Sequence, residues 1–197
     1  MRPHQVSESD HRALPWRVHE LLTDIPVEDV WRFPLELGPA DDLETFRTVM
    51  TAAVAGMSRT SPMALLLKLR LAVGRALGWD WREGDPRSMQ LRDRYAAAEG
   101  IDAALEPEDM AGDFSLVYRL EDEYLGEIEN KTVLAALHLG RVALDNGNAA
   151  VHLAVYARPK GWFGRAYLAF IKPFRLWIVY PAIMKSAAKR WSAFQER

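Results

Sequence analysis

Between Phe163 and Trp191 the chain carries Phe163, Tyr167, Phe170, Phe174, Trp177, Pro181, Met184, Ala188 and Trp191 at alternating steps of four and three. That spacing puts them on one side of a helix. On such a helix, over 162–194, the stripe runs roughly 45 Å at about 1.5 Å per residue. Rings of this size are mostly buried, so the stripe needs a cover. Pro173 and Pro181 each remove a backbone donor, and the helix is expected to bend or break near Ala169 and Trp177.

The cover is written just upstream. In residues 114–158 the period changes, and FSLVYRL, YLGEIENK, TVLAALHLGRVAL and NAAVHLAVYAR read as an antiparallel meander. Turn signals separate these runs at Glu121-Asp122-Glu123, Asn130-Lys131 and Asn146-Gly147, the last a strong hairpin signal. With a two-residue Asn146-Gly147 loop, Asp145 opposes Asn148. His138, Gly140, Val142 and Leu144 then share a face with Val155, Leu153, Val151 and Ala149. Leu137, Leu139, Arg141 and Ala143 share the other with Tyr156, Ala154, His152 and Ala150. The first face is the more apolar and is expected to face the interior. This register puts His138 and His152 on opposite faces, and a one-residue change in loop length reverses it.

Upstream of the meander, Leu14–Leu22 reads as a strand. Pro26–Trp31 reads as a short helix, with Asp24 as its N-cap and Pro34 ending it. Asp41–Met57 reads as a helix opened by Asp41 and Glu44, with Leu43, Phe46, Met50, Ala53 and Met57 on one side. Ser61 and Pro62 open a second, largely buried helix to Leu77. Residues 79–112 read as irregular, with one short helix at Leu91–Ala98. Strand, helices, antiparallel sheet and a long amphipathic helix make an α+β chain. Its expected form is a curved antiparallel sheet gripping the long C-terminal helix, with extra N-terminal helices. The 197 residues fit one domain, expected over residues 14–194 behind a flexible 1–13.

With 49% hydrophobic residues, wholesale disorder is excluded. Without cysteine there is no disulfide, thiolate metal site, iron–sulfur cluster or cysteine nucleophile. A net charge of −2 argues against a general nucleic-acid binder. The balance is uneven. Residues 158–197 hold nine Lys/Arg and one acid, Glu196, for +8; the rest hold sixteen (25 − 9) against twenty-six (27 − 1), for −10. The basic tail either matches acids inside the molecule or meets an anionic lipid or acidic partner. The first ten residues lack an apolar core, and charges interrupt both Met63–Leu77 and Trp162–Met184. No leader or membrane span is expected, and the expected home is the cytoplasm.

The run Gly164–Trp191 carries Gly164-Arg165-Ala166-Tyr167 and Ile171-Lys172-Pro173-Phe174. In these it resembles the closing helix of a bacterial domain-of-unknown-function family of the START-like (SRPBCC, helix-grip) superfamily. That family is also found C-terminal to short-chain-dehydrogenase-like domains. Pro62–Gly78, ending in Leu-Gly-Trp, and Tyr124-Leu125-Gly126-Glu127 are similar to it as well, so the resemblance spans Trp16 to Trp191. Where the family has a His-Leu pair, this chain has Lys131-Thr132-Val133-Leu134. The resemblance implies apolar-ligand binding or cyclase-like chemistry in a cavity.

No GxxxxGK[ST], GxGxxG, HExxH or GxSxG motif occurs. No cofactor is expected, and no metal site, because His138 and His152 fall on opposite faces. His138 either orients a ligand or serves as acid/base in the cavity, or is a core histidine satisfied by a carbonyl or water. Glu127 and Glu129 share a face, as paired carboxylates or as a solvated edge with Arg119. Tyr118 and Tyr156 offer hydroxyls. Arg165 and Tyr167 are expected to tie the helix start to the sheet. The expected ligand-binding set is His138, Tyr118, Tyr156, Tyr167, Phe170, Phe174 and Trp177. Three functions stand: binding of an apolar small molecule or lipid; a cyclase, hydratase or isomerase in the same cavity; or peripheral membrane or partner binding by the basic helix. The last requires Trp162, Phe163 or Trp191 to be exposed.

Overall fold

A computed structural model describes residues 4–56, 90–100 and 114–196. In chain order the elements are β1 (His4–Gln5), α1 (Glu8–Arg12), α2 (Val18–Leu21), β2 (Val27–Leu37), α3 (Leu43–Ala55) and α4 (Gln90–Glu99). There follow β3 (Ser115–Arg119), β4 (Glu123–Glu129), β5 (Val133–Ala143), β6 (Ala149–Pro159), α5 (Gly161–Phe174), a π turn (Arg175–Val179) and α6 (Tyr180–Gln195). The described strands form one antiparallel sheet in the order β1-β2-β6-β5-β4-β3. The α+β class, the meander and the long C-terminal helix are as the sequence predicts. The Pro62–Leu77 helix and most of 79–112 lie outside the described residues. The short helix within that stretch is α4.

Three local readings are corrected. Leu14–Leu22 is not a strand: its ordered part is α2, and Trp16, Val18, Leu21 and Leu22 pack on the sheet. Pro26–Trp31 is strand rather than helix, because β2 pairs with β6 along its length. Pro34 does not end it. The ladder is irregular between Arg32 and Glu36, and proline is tolerated at such a break. Asp42, not Asp41, caps α3, accepting the Thr45 N–H at 2.6 Å. Leu43, Phe46, Met50 and Ala53 form its buried side as expected.

The hairpin register is also corrected. Leu144 N donates to Asn148 O at 2.9 Å and Gly147 N to Leu144 O at 3.1 Å, with Gly147 at φ +82°. This is a three-residue loop, Asp145-Asn146-Gly147, with glycine at the left-handed position. The pairs are Leu137↔Val155, Leu139↔Leu153, His138↔Ala154 and Gly140↔His152. His138 and His152 therefore share a face, and Leu137, Leu139, Val151, Leu153 and Val155 form the other.

Both faces are covered. The second face meets α3, the π turn and α6 in a core containing Phe33, Phe46, Leu139, Leu153, Tyr180, Met184 and Trp191. The His138 face meets α1, α2 and α4 in a core containing Trp16, Val18, Leu91, Leu125 and Tyr156.

The C-terminal helix runs from Gly161 to Gln195 but changes phase. Pro181 offers no donor to Trp177 O, and Tyr180 N bonds Arg175 O in the wider turn instead. A 3.5-residue repeat lags a 3.6-residue helix by about 20° per heptad. The π turn adds roughly a quarter turn in the same sense. Over four heptads the stripe swings about half a turn. Met184 and Trp191 are buried, whereas Phe170 and Trp177 are 68% and 79% exposed. The expectation that the whole stripe meets the sheet is corrected: the buried line is Gly164, Leu168, Tyr180, Met184, Ala187 and Trp191.

Candidate functional site

On the helix side, one row of the sheet reads Gly126, Leu137, Val155 and Asp29 across four strands. The next row, Tyr124, Leu139, Leu153 and Trp31, is closed by α3 and α6 at its first three positions. Leu137 and Val155 remain half-buried although they sit on the central strands. Their neighbours Ile128 and Ala135 are half-buried too. Leu176 of the π turn is half-buried as well, and Leu137, Val155 and Leu176 pack against the same core.

A polar group stands at the end of this row. Asp29 accepts from Arg175 Nη2 at 2.9 Å and from the Tyr180 hydroxyl at 3.1 Å. Arg175 also reaches Glu28 at 3.3 Å. Trp31, two residues along the same strand, packs on Tyr180 with ring centroids 5.5 Å apart. Burial pushes the Asp29 carboxyl above its usual range, against the pull of Arg175 and Tyr180. Among the described residues, three buried atoms of this group have no hydrogen-bond partner: Asp29 Oδ1, Arg175 Nε and Trp31 Nε1. One acceptor and two donors are thus unspent beside a half-exposed apolar strip. Buried polar atoms are rarely left so.

The opposite face holds a different cluster. Glu123 accepts from Arg17 N at 2.7 Å, Val18 N at 3.3 Å and the Tyr118 hydroxyl at 2.9 Å, and meets His138 Nε2 at 3.2 Å. Burial alone raises its pKa; the bonds from His138, Arg17 and Tyr118 outweigh that and hold it low. His11 Nε2 lies 2.7 Å from the Tyr156 hydroxyl. The Trp16 indole lies on His138, with centroids 4.8 Å apart. It does so because residue 140 is glycine: a Cβ there would stand 2.4 Å from the ring. His11 and His138 are fully buried. Among the described residues, no group of three potential ligands is placed to hold a metal ion.

This cluster makes stability depend on pH. Burial lowers His11 to about 3 and His152 to about 4, from 6.5. The unfolded chain therefore binds more protons in this range, so the stabilisation is present above pH 6.5 and is lost as pH falls toward 4 for His152 and toward 3 for His11. Between pH 7 and 5 the two together cost about 4 kcal/mol. Glu127, raised to about 6 by burial, offsets about 1 kcal/mol of that. These three groups make urea titrations at the two pH values differ by about 3 kcal/mol, and His138 and His19, lowered by burial too, add in the same direction; equal stabilities would contradict this protonation scheme.

The seven ligand-binding residues expected from sequence divide in two. His138, Tyr118 and Tyr156 come together around Glu123 and His11, on the face away from the C-terminal helix. Tyr167, Phe170, Phe174 and Trp177 lie on α5 and the π turn, with Phe170, Phe174 and Trp177 turned outward. Glu127 and Glu129 are not a solvated edge. Glu127 is 1% exposed and accepts Leu91 N and Arg92 N at 3.0 Å each, capping α4 from the sheet. Glu129 bonds Gln90 and Lys160. Residues 4–13, read as flexible, hold β1 and α1 and bury His11. Asp29 and Arg175 were missed. Asp29 passes for a first-turn helix acid, and Arg175 for one cation of a basic helix.

A six-stranded antiparallel sheet packed on a 35-residue C-terminal helical segment defines a helix-grip-like α+β protein. The chain belongs to the family described as protein of unknown function (DUF2867), which it matches over residues 21–182. No curated protein matches it. No solved structure matches it. No helix among the described residues is long and apolar enough to cross a membrane.

Proposed function

We propose that the protein binds a small, mostly apolar molecule between the Leu137–Val155 row and the π turn, in the manner of START-like (SRPBCC) proteins. The apolar body lies on Leu137, Val155 and Leu176. One polar group that both donates and accepts, such as a hydroxyl, engages Asp29 Oδ1 and the Arg175 and Trp31 donors. The observation that carries this reading is the incomplete burial of Leu137 and Val155 at the centre of the sheet, beside a buried Asp29–Arg175–Tyr180 group with unspent hydrogen-bonding atoms. Few well-placed polar groups in an apolar cleft are the usual form of such sites. Cyclase, hydratase or isomerase chemistry would rest on Glu123 and His138. Their burial beneath Trp16 favours a structural role there and leaves binding as the better-supported reading.

Leu137→Trp tests this in two ways. If the space exists, the larger ring enters it, stability changes by less than about 1 kcal/mol, and an anilinonaphthalene dye binds at least tenfold more weakly than to wild type. If the core is solid, overpacking costs about 1–3 kcal/mol and dye binding is unaltered. The second outcome overturns the reading.

A further inference from the structure

We propose that the outward side of α5 and the π turn docks on an anionic lipid surface. Trp162, Phe170 and Trp177 are 74%, 68% and 79% exposed, and Phe174 stands between the last two. The positions beside them, Ala166 and Ala169, are exposed and apolar. The result is an aromatic ridge of four turns with an indole at each end. Trp suits the boundary between water and hydrocarbon, where one part of the ring is wet and the other is not. Isolated exposed rings need no explanation, but a contiguous row of this size marks a docking surface.

Charge identifies the occupant. From Pro159 to Gln195 the chain has no Asp or Glu. Lys160 and Arg175 turn inward to Glu129 and to Asp29 and Glu28. Arg165, Lys185, Lys189 and Arg190 have no acidic partner among the described residues; Lys172 is attracted by Asp29 without forming an ion pair, and all five are exposed. Arg165 and Lys172 run along one flank of the ridge. A second copy seated on this ridge would set cations against cations, which is unfavourable. A negatively charged bilayer surface accepts the aromatic row and matches the cation row, as interfacial helices do. This inference does not depend on the ligand reading, because the ridge faces away from the Leu137–Val155 space.

The test is co-sedimentation of the full chain with vesicles of phosphatidylcholine alone and of phosphatidylcholine with phosphatidylglycerol as one lipid in three. The expected result is binding to the anionic vesicles, a blue shift of tryptophan emission, and weakening with added salt. Trp162→Ser with Trp177→Ser, both at exposed sites, should weaken binding at least tenfold without changing circular dichroism. Arg165→Glu with Lys172→Glu should abolish the preference for anionic lipid. Absence of binding to either vesicle overturns the proposal. So does binding that survives the tryptophan changes. A dimer in sedimentation velocity that the same changes dissociate would assign the ridge to a second copy, and capture of an acidic protein without vesicle binding would assign it to a protein partner.

Discussion

Glu123→Ala is expected to lower the unfolding free energy by about 4 kcal/mol. One buried carboxylate receives two N–H groups at the start of α2, the Tyr118 hydroxyl and His138. Removing it strands four polar groups at once in a region closed by Trp16. Each stranded group carries a desolvation penalty of about 1–3 kcal/mol, and the penalties overlap because the groups share one acceptor. Glu123→Gln keeps the size and one acceptor oxygen, and should lose about half as much. Urea unfolding followed by circular dichroism reads both. If the alanine protein stays within about 1 kcal/mol of wild type, Glu123 is not what holds the N-terminal helices to the sheet. Should the alanine protein not fold, the glutamine protein carries the comparison.

Gly164→Ala is expected to destabilise although it sits in a helix, where the same change ordinarily gains about 1 kcal/mol. A Cβ at 164 would lie 2.2 Å from the Thr132 carbonyl oxygen and 3.3 Å from Pro159 Cβ. The carbonyl belongs to the turn before β5 and already accepts Lys160 N at 2.7 Å, so it cannot move aside freely. The first turn of α5 must lift away, at about 2–3 kcal/mol. Ala169→Gly, exposed on the same helix, supplies the ordinary comparison with a loss of about 1 kcal/mol. A rise in the urea midpoint for Gly164→Ala would mean that α5 does not rest on Thr132. The glycine of the Gly-Arg-Ala-Tyr opening is thus explained by close approach of two backbones.

What could be read in the sequence follows from how local each signal is. The meander, α3 and the C-terminal helix are periodic over their own lengths, and all three are where their periods place them. The face of each meander strand was not legible in the same way. It turned on whether Gly147 lies inside a two-residue loop or closes a three-residue one, and its φ of +82° fits the second. That single residue moves His138 from the helix side of the sheet to the other. β2 was misread because Glu28, Asp29 and Pro34 are poor strand residues. Asp29 is tolerated only because Arg175 and Tyr180 meet it from the far end of the chain. No window of sequence contains that pairing. The outward aromatic ridge escaped the periodic reading for a related reason. Pro181 marks a break near Trp177, where the π turn lies, but a stripe drawn at constant pitch does not carry the change of phase that the turn makes.

The claim on which the functional reading stands is that helix and sheet leave room for a guest beside Asp29. Native mass spectrometry of the purified chain, wild type against Leu137→Trp, tests it most directly. The expected spectrum shows a small molecule retained by wild type, released by organic solvent, and missing from the tryptophan variant. A wild-type spectrum with the mass of the polypeptide alone, unchanged after incubation with mixed lipid extract, would contradict it.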